Sequence, residues 1–325
     1  MPILLPDHIR DRLTSKKTLV TGAAGFIGSH LAAAIAELPC ELTLVDSNAR
    51  LDRMPILGPA TVTTHRMSIC DDEFFKLVAS LQPDFILHMA GNANVAASVA
   101  DPGMDFDVNL RATFKLLETL RRSESRPFLL LASSAAVYGN PVRLPIAEED
   151  PTVPISPYGV AKLAMERYLA VYCRLYGLRG NSVRMFSPFG PRLEKQIVFE
   201  LVRKLIANPH SLELLGDGTQ TRDFLFVDDL VRALLHVATL GNSDGAVYNI
   251  GSGTATAVSV LAQQLIEVMG LTATLRFRGE SMPGYPDHWR ADVRRLEALG
   301  WHSTVPLRAG LAETVKWVRD EYPQH

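Results

Sequence analysis

The sequence predicts an α/β fold built on a doubly wound parallel sheet, with a smaller lobe following it. Three observations predict it. Up to about residue 185, short strands apolar on both faces alternate with helical stretches, the pattern of a parallel sheet covered by helices. A glycine-rich turn joins the first strand to the first helix. Beyond residue 185 the texture changes to short elements separated by loops rich in Pro, Gly and Arg.

Taken in order, "MPILLPDHIRDRLTSKK" reads as a short amphipathic extension, too charged for a signal peptide or a membrane anchor. "KTLVTG" is a β-branched strand ending in a glycine turn, and "FIGSHLAAAIAEL" continues with helical spacing. "ELTLVD", "DFILHMA" and "PFLLLASSA" are further strands, separated by the helical stretches "DDEFFKLVASL" and "VNLRATFKLLETLRR". "SPYGVAKLAMERY" reads as a helix start. "FSPFGPRLEK" is a loop and "IVFELVRKLIANP" a helix; "LELLGDGTQTRDFLFVDDL" is a strand and turn running into "LVRALLHVATL". The expected division is residues 1–183 as the sheet domain, with 223–249 returning to it, and 184–325 as the second lobe. That lobe is expected to close over the C-terminal strand ends, where open α/β sheets bind ligands.

Composition narrows the function. A chain of 325 residues can hold one large α/β unit or two lobes sharing a cleft. With 33 basic and 35 acidic residues, no global field draws it to nucleic acid or membrane. Three scattered cysteines argue against a disulfide framework and for a reducing, cytoplasmic setting. The nine histidines show no metal-ligand spacing and no C-x-x-C occurs, so no metal is expected.

"TLVTGAAGFIGSH" supplies Gly22, Gly25 and Gly28 between the first strand and the first helix. Gly22 permits the tight turn, Gly25 lets the backbone approach a pyrophosphate, and Gly28 lets the helix pack close to the strand. The helix N-terminus then offers N–H groups and the positive end of its dipole to the phosphates. Eighteen residues after Gly28, Asp46 ends "LTLVD", where a dinucleotide site needs a carboxylate for the ribose hydroxyls. That carboxylate would repel a 2′-phosphate, which favours NAD over NADP. Asp71 follows the third strand, placed either to meet the adenine or simply to cap a helix. Tyr158 and Lys162 of "SPYGVAK" stand one helical turn apart on one face. By itself that spacing fits two unrelated residues equally well.

The segments "TGAAGFIGSH", "ILHMAGNANVAASV", "LLLASSAAVYG", "SPYGVAK" and "LLGDGTQTRDFLFVDDL" stand in the order and spacing of the extended short-chain dehydrogenases/reductases. More narrowly, the chain resembles the NAD-dependent sugar epimerase/dehydratase branch, which includes UDP-galactose and UDP-glucuronate 4-epimerases. The resemblance covers roughly residues 17 to 320. It implies a Rossmann-type doubly wound sheet with a smaller C-terminal substrate-binding lobe. It adds Phe26, Ile27, Ala90 and Lys162 to the expected NAD contacts. It makes Tyr158 the general acid/base for a sugar hydroxyl, with Ser134 orienting the reacting oxygen and Ser133 structural. A phenol near pKa 10 is a poor base at neutral pH, so Lys162 and the nicotinium charge are expected to bring it down.

The same resemblance sorts the reaction. Family 4,6-dehydratases carry Asp-Glu after the catalytic Thr, and family decarboxylases tend to carry a Glu there. Here Ala135 and Ala136 stand instead, and a methyl group moves no proton. The pair resembles that of 4-epimerases and some 4-ketoreductases. Arg222 of "TQTRDF" matches the arginine that clamps the nucleotide diphosphate. Ser98 matches a position near the sugar; Asn109 matches one behind the cofactor, or is a buried packing group. Ser187 replaces an Asn that usually binds the diphosphate, and Met282 an Arg that usually assists. Arg290, Arg278 or Arg192 would then have to substitute. Trp289 matches a bulky aromatic of hexose epimerases, or is core; Arg192 would meet a uronate carboxylate, or is a solvated loop residue.

The expected activity is a cytoplasmic NAD-dependent nucleotide-sugar 4-epimerase acting on a UDP-hexose or UDP-hexuronate. The alternatives are a 4-ketoreductase of a 4-keto-6-deoxy nucleotide sugar and a non-catalytic NAD-binding regulator. Relatives commonly form homodimers through a four-helix bundle. That bundle would use the helices after Asn109 and from Tyr158, with Leu116, Leu117, Leu163 and Leu169 facing outward or the monomer core.

Overall fold

A computed structural model describes residues 3–54, 56–279 and 287–323. Six strands follow in chain order: β1 Lys17–Thr21, β2 Glu41–Asp46, β3 Thr61–Arg66, β4 Phe85–His88, β5 Phe128–Ser134 and β6 Arg179–Met185. With Val247–Ile250 they form one seven-stranded sheet in the order β3-β2-β1-β4-β5-β6-(247–250). Every pairing is parallel. The strand order reverses between β1 and β4, and a crevice at such a switch point is where this class of sheet takes ligands.

The strands are apolar on both faces because each face packs against its own helix layer. Val20, Leu42, Leu44, Leu87, Leu130 and Val183 point into one core with the helices Phe26–Ala36 and Val227–Leu240. Leu19, Val45, Ile86, Leu129 and Leu131 point into the other, with Asp72–Leu81, Ala112–Arg122 and Pro157–Tyr176. Neighbours such as Leu19 and Val20 thus serve opposite layers, as the two-residue period of a strand requires. The N-terminal helix Asp7–Leu13 buries Ile9 and Leu13 in the first core.

Beyond β6 the described residues form three small two-stranded pairings. Ser187–Phe189 lies parallel to Phe224–Phe226, Thr221–Arg222 antiparallel to Thr256–Ala257, and Ser211–Leu214 parallel to Thr274–Phe277. Among the described residues, no helix is long and apolar enough to cross a membrane.

Of the two directions open to the helix leucines, the structure takes the one toward the core. Leu116, Leu117 and Leu169 are fully buried against the sheet, and Leu163 is half-buried beside another cluster. Both helices carry large apolar residues on two sides, so periodicity alone does not say which side faces the core. The outward side carries Phe114, Tyr168, Val171, Leu175 and Tyr176, all exposed. Phe114 packs edge-on against Tyr168 at 5.4 Å between centroids.

Candidate active site

The glycine turn sits at the switch point. Gly22 has φ +68°, and a Cβ there would lie 2.7 Å from Ala90 N. Ala90 is itself tied to β1, its N–H donating to Thr21 Oγ1 at 3.2 Å. A Cβ on Gly28 would lie 2.0 Å from Gly22 O, so glycine is what lets this helix approach the strand. Gly25 occupies the N-cap of Phe26–Ala36, and no side chain caps that end. Phe26 and Ile27 follow in its first turn, half-buried. The half-buried Asp46 accepts hydrogen bonds from Ala24 N (2.9 Å) and Asn48 N (2.8 Å), which aim its carboxylate beside the turn. A turn with glycine at its three close-approach positions, an uncapped helix end and a carboxylate at the end of β2 fit a dinucleotide. Asp71 is exposed at the N-cap position of Asp72–Leu81, but its carboxylate accepts from Ser68 N at 2.9 Å instead of capping the helix.

Ser134 ends β5, and its Oγ accepts a hydrogen bond from Ala136 N at 3.2 Å. Tyr158 begins the helix Pro157–Tyr176, which Ser156 caps by accepting from Gly159 N at 3.2 Å. Burial pushes the Tyr158 phenol up to about 12; hydrogen bonding to Ser134 offsets part of this and the Asp105 charge adds to it. The expected lowering is therefore not a property of the polypeptide itself. Lys162 Nζ lies over the Tyr158 ring, 5.7 Å from its centroid. Burial also brings the Lys162 ammonium down to about 8, against the pull of Asp105 and Glu166. Ser98 is fully buried: its Oγ donates to Val95 O at 2.7 Å and accepts Tyr158 N at 3.2 Å. Its hydroxyl thus anchors the helix that carries Tyr158.

Behind this set lies a buried network that the sequence did not announce. Ser133 Oγ donates to Glu166 Oε1 at 2.5 Å, and Arg184 grips the same carboxylate through Nε (3.0 and 3.2 Å) and Nη2 (2.7 Å). Arg184 Nη1 also donates to Tyr138 Oη at 2.8 Å, and Tyr138 Oη to Asn249 Oδ1 at 2.6 Å. The network ties β5, β6, the Val247–Ile250 strand and the Tyr158 helix together. Burial alone would lower the Arg184 pKa, but Glu166 and Tyr138 hold it above the ordinary value.

Beyond β6, Arg222 lies over the Trp289 ring, 5.6 Å from the guanidinium carbon to the centroid, and donates to Thr221 O and Asp287 O. Asp223, fully buried, accepts from Ser252 N, Ser252 Oγ, Gly253 N and Ala291 N, pinning three segments together. Trp289 is half-buried, packs edge-on against Phe186 at 6.1 Å and leaves Nε1 without a partner among the described residues. Arg290 is exposed and donates to Gly253 O at 2.8 Å. Ser187 donates its N–H to Asp223 O at 3.2 Å. Arg192 is exposed with φ +70°. Arg278 pairs with Glu213 at 2.6 Å, and Met282 lies outside the described residues.

Residues 18–251 match the model of the NAD dependent epimerase/dehydratase family. The chain belongs to that family. A UDP-glucose 4-epimerase of Mycolicibacterium smegmatis is 32% identical over 320 residues, 94% of this chain and 99% of its own length. A UDP-glucose 4-epimerase of Thermotoga maritima, solved with UDP-glucose, is 31% identical with a TM-score of 0.84, covering 94% of this chain and 99% of that one. A UDP-glucuronic acid 4-epimerase from Bacillus cereus, solved with UDP-glucuronic acid and NAD, is 29% identical with a TM-score of 0.84, covering 94% and 100%.

Proposed function

We propose that this family member is an NAD-dependent UDP-sugar 4-epimerase acting on a UDP-hexose or UDP-hexuronate. The observation that carries the reading is Ser134 and Tyr158 meeting beside the glycine cradle, with Ala135 and Ala136 next to them. That set moves one hydroxyl proton and lacks the additional acid and base that eliminating water demands. The similarity to 4-epimerases along nearly the whole chain supports it.

Gly22, Gly25, Phe26, Ile27, Gly28, Asp46 and Ala90 would hold NAD, with Lys162 on its nicotinamide ribose and Asp71 near the adenine. NAD held there would supply hydride chemistry at C4 and, in its oxidised form, a positive charge beside the phenol. Tyr158 takes the proton from the C4 hydroxyl and later gives it back. Ser134 donates to the reacting oxygen and fixes its distance from the phenol. Lys162 favours the phenolate, which matters because burial opposes it.

Arg222, already oriented by Trp289, presents a planar bidentate donor to the diphosphate. Ser187 and Arg290 lie on segments that Asp223 pins beside it. Arg192 is a candidate partner for a uronate carboxylate. Residues 184–325 form the nucleotide-sugar lobe in this reading, apart from the stretch that returns to the sheet. The exposed aromatic and aliphatic row of Phe114, Tyr168, Val171 and Leu175 is the face through which a homodimer would form. The three free cysteines suit the cytoplasm.

The test is to incubate purified protein, with no added cofactor, with UDP-glucose, UDP-galactose or UDP-glucuronate and follow the sugar protons by NMR. Conversion of at least one to a stable mixture of C4 epimers is expected. Three unchanged substrates with NAD demonstrably bound would rule out the UDP-hexose and UDP-hexuronate reading.

A further inference from the structure

Beside Tyr158 and Lys162 lies a carboxylate to which the proposed chemistry gives no task. Asp105 is 1% exposed and stands where the helix Pro102–Asp105 passes into the π turn Phe106–Arg111. Its Oδ1 accepts hydrogen bonds from Asn92 Nδ2 and Asn109 Nδ2, both at 2.8 Å. Its Oδ2 is buried with no hydrogen-bond partner among the described residues, and so is Asn109 Oδ1. A Cβ placed on Gly91 would lie 2.5 Å from Asn109 Oδ1 and 3.4 Å from Lys162 Nζ, so amide and ammonium flank the same small space. A buried carboxylate with half its capacity unmet is costly unless a cation compensates it.

The cation its field reaches is Lys162. The other groups facing Lys162 offer no free negative charge. Glu166, on the next turn of the helix, is held by Arg184 and Ser133. His88, at the end of β4, is kept neutral by burial and then by Lys162 itself, its pKa brought down to about 3. Tyr158 is held in its neutral form by burial.

We propose that Asp105 is a positioning residue, the counter-charge that keeps Lys162 an ammonium beside Tyr158. Asp105 and Asn109 stand four residues apart, one helical turn, which places them on one face and brings the Asn109 amide to the Asp105 carboxylate. Without Asp105, the larger of the two opposing charges is gone and only the Arg184-bound Glu166 still acts against burial, so the lysine becomes neutral at a lower pH. The catalytic consequence rests on the epimerase reading; the charge coupling does not.

The experiment compares the full-length wild type with Asp105→Asn, both labelled with ¹³C-lysine. The Lys162 Cε resonance, assigned with Lys162→Met, is titrated by NMR without substrate. The Lys162 midpoint is expected to fall by about 1–3 pH units in Asp105→Asn, and to stay near the wild-type value in Asp105→Glu, which keeps the charge. The alkaline limb of kcat should move with it. An unmoved midpoint in Asp105→Asn overturns the proposal even if activity is lost. Should that variant not fold, a midpoint in Asp105→Glu displaced by more than about one unit overturns it. A midpoint that moves in a protein without epimerase activity upholds the coupling and overturns the epimerase reading.

Discussion

Replacing Glu166 by alanine would strip the counter-charge from a guanidinium that is 2% exposed. Arg184 donates three hydrogen bonds to that carboxylate, and Ser133 adds a fourth. What remains on the Arg184 side is Tyr138 Oη at 2.8 Å and Glu148 O at 3.1 Å, neither of which carries a compensating charge there. Removing one partner of such a buried pair costs about 3–5 kcal/mol, because the survivor stays charged in a low-dielectric interior. With a urea slope of about 3 kcal/mol/M, the unfolding midpoint should fall by roughly 1 M or more. Replacing both partners by methionine removes the charge as well as the bond and should recover most of the loss. Urea unfolding of the wild type, Glu166→Ala and Glu166→Met with Arg184→Met checks both statements. A single variant within about 1 kcal/mol of wild type would refute the reasoning. So would a double variant as unstable as the single one, since the loss would then come from packing.

Other expectations follow from the same geometry. Tyr158→Phe should keep its fold and lose about 10²–10⁴ in kcat, read by NMR turnover and circular dichroism. Gly28→Ala forces a Cβ to 2.0 Å from Gly22 O and 2.7 Å from Gly22 C, both backbone atoms, so the helix must move off the strand. The protein should purify with little NAD, measured by cycling assay after denaturation. Lys162→Met should abolish turnover yet raise stability at pH 7 by up to about 3 kcal/mol, because the wild type holds a buried ammonium whose pKa is down from 10.5 to about 8. The unfolded chain binds that proton more tightly. The wild-type penalty is therefore full below pH 8 and fades as pH rises toward 10.5, and the variant's advantage should fade with it in urea titrations.

The legible parts of this molecule are those where chemistry prescribes a residue type at a set spacing. The glycine turn and Asp46 are of this kind, because a pyrophosphate and a ribose leave few options at the switch point. Ser134, Tyr158 and Lys162 carry meaning only together with that turn, since their spacing alone fits unrelated residues. Burial was harder to read. It pushes Tyr158 up where a neighbouring lysine suggested down, because the phenol is enclosed by segments far apart in sequence. Leu117 and Phe114 lie on one helix, and only the packed sheet decides that the leucine is buried and the phenylalanine exposed. Glu166 and Arg184 meet across a helix and a strand, with no local signal to pair them. Asp105 and Asn109 stand one helical turn apart, but neither residue type nor spacing says that carboxylate and amide are buried together.

The central claim is that one enzyme-held cofactor inverts C4 through Tyr158 without exchange. Its most direct test starts from a UDP-sugar deuterated at C4, incubated with purified protein in ordinary water without added cofactor. The account predicts both C4 epimers with deuterium retained at C4, and no product with Tyr158→Phe beyond its residual rate. Loss of the label to solvent, or conversion only when reduced cofactor is supplied in stoichiometric amount, would contradict it.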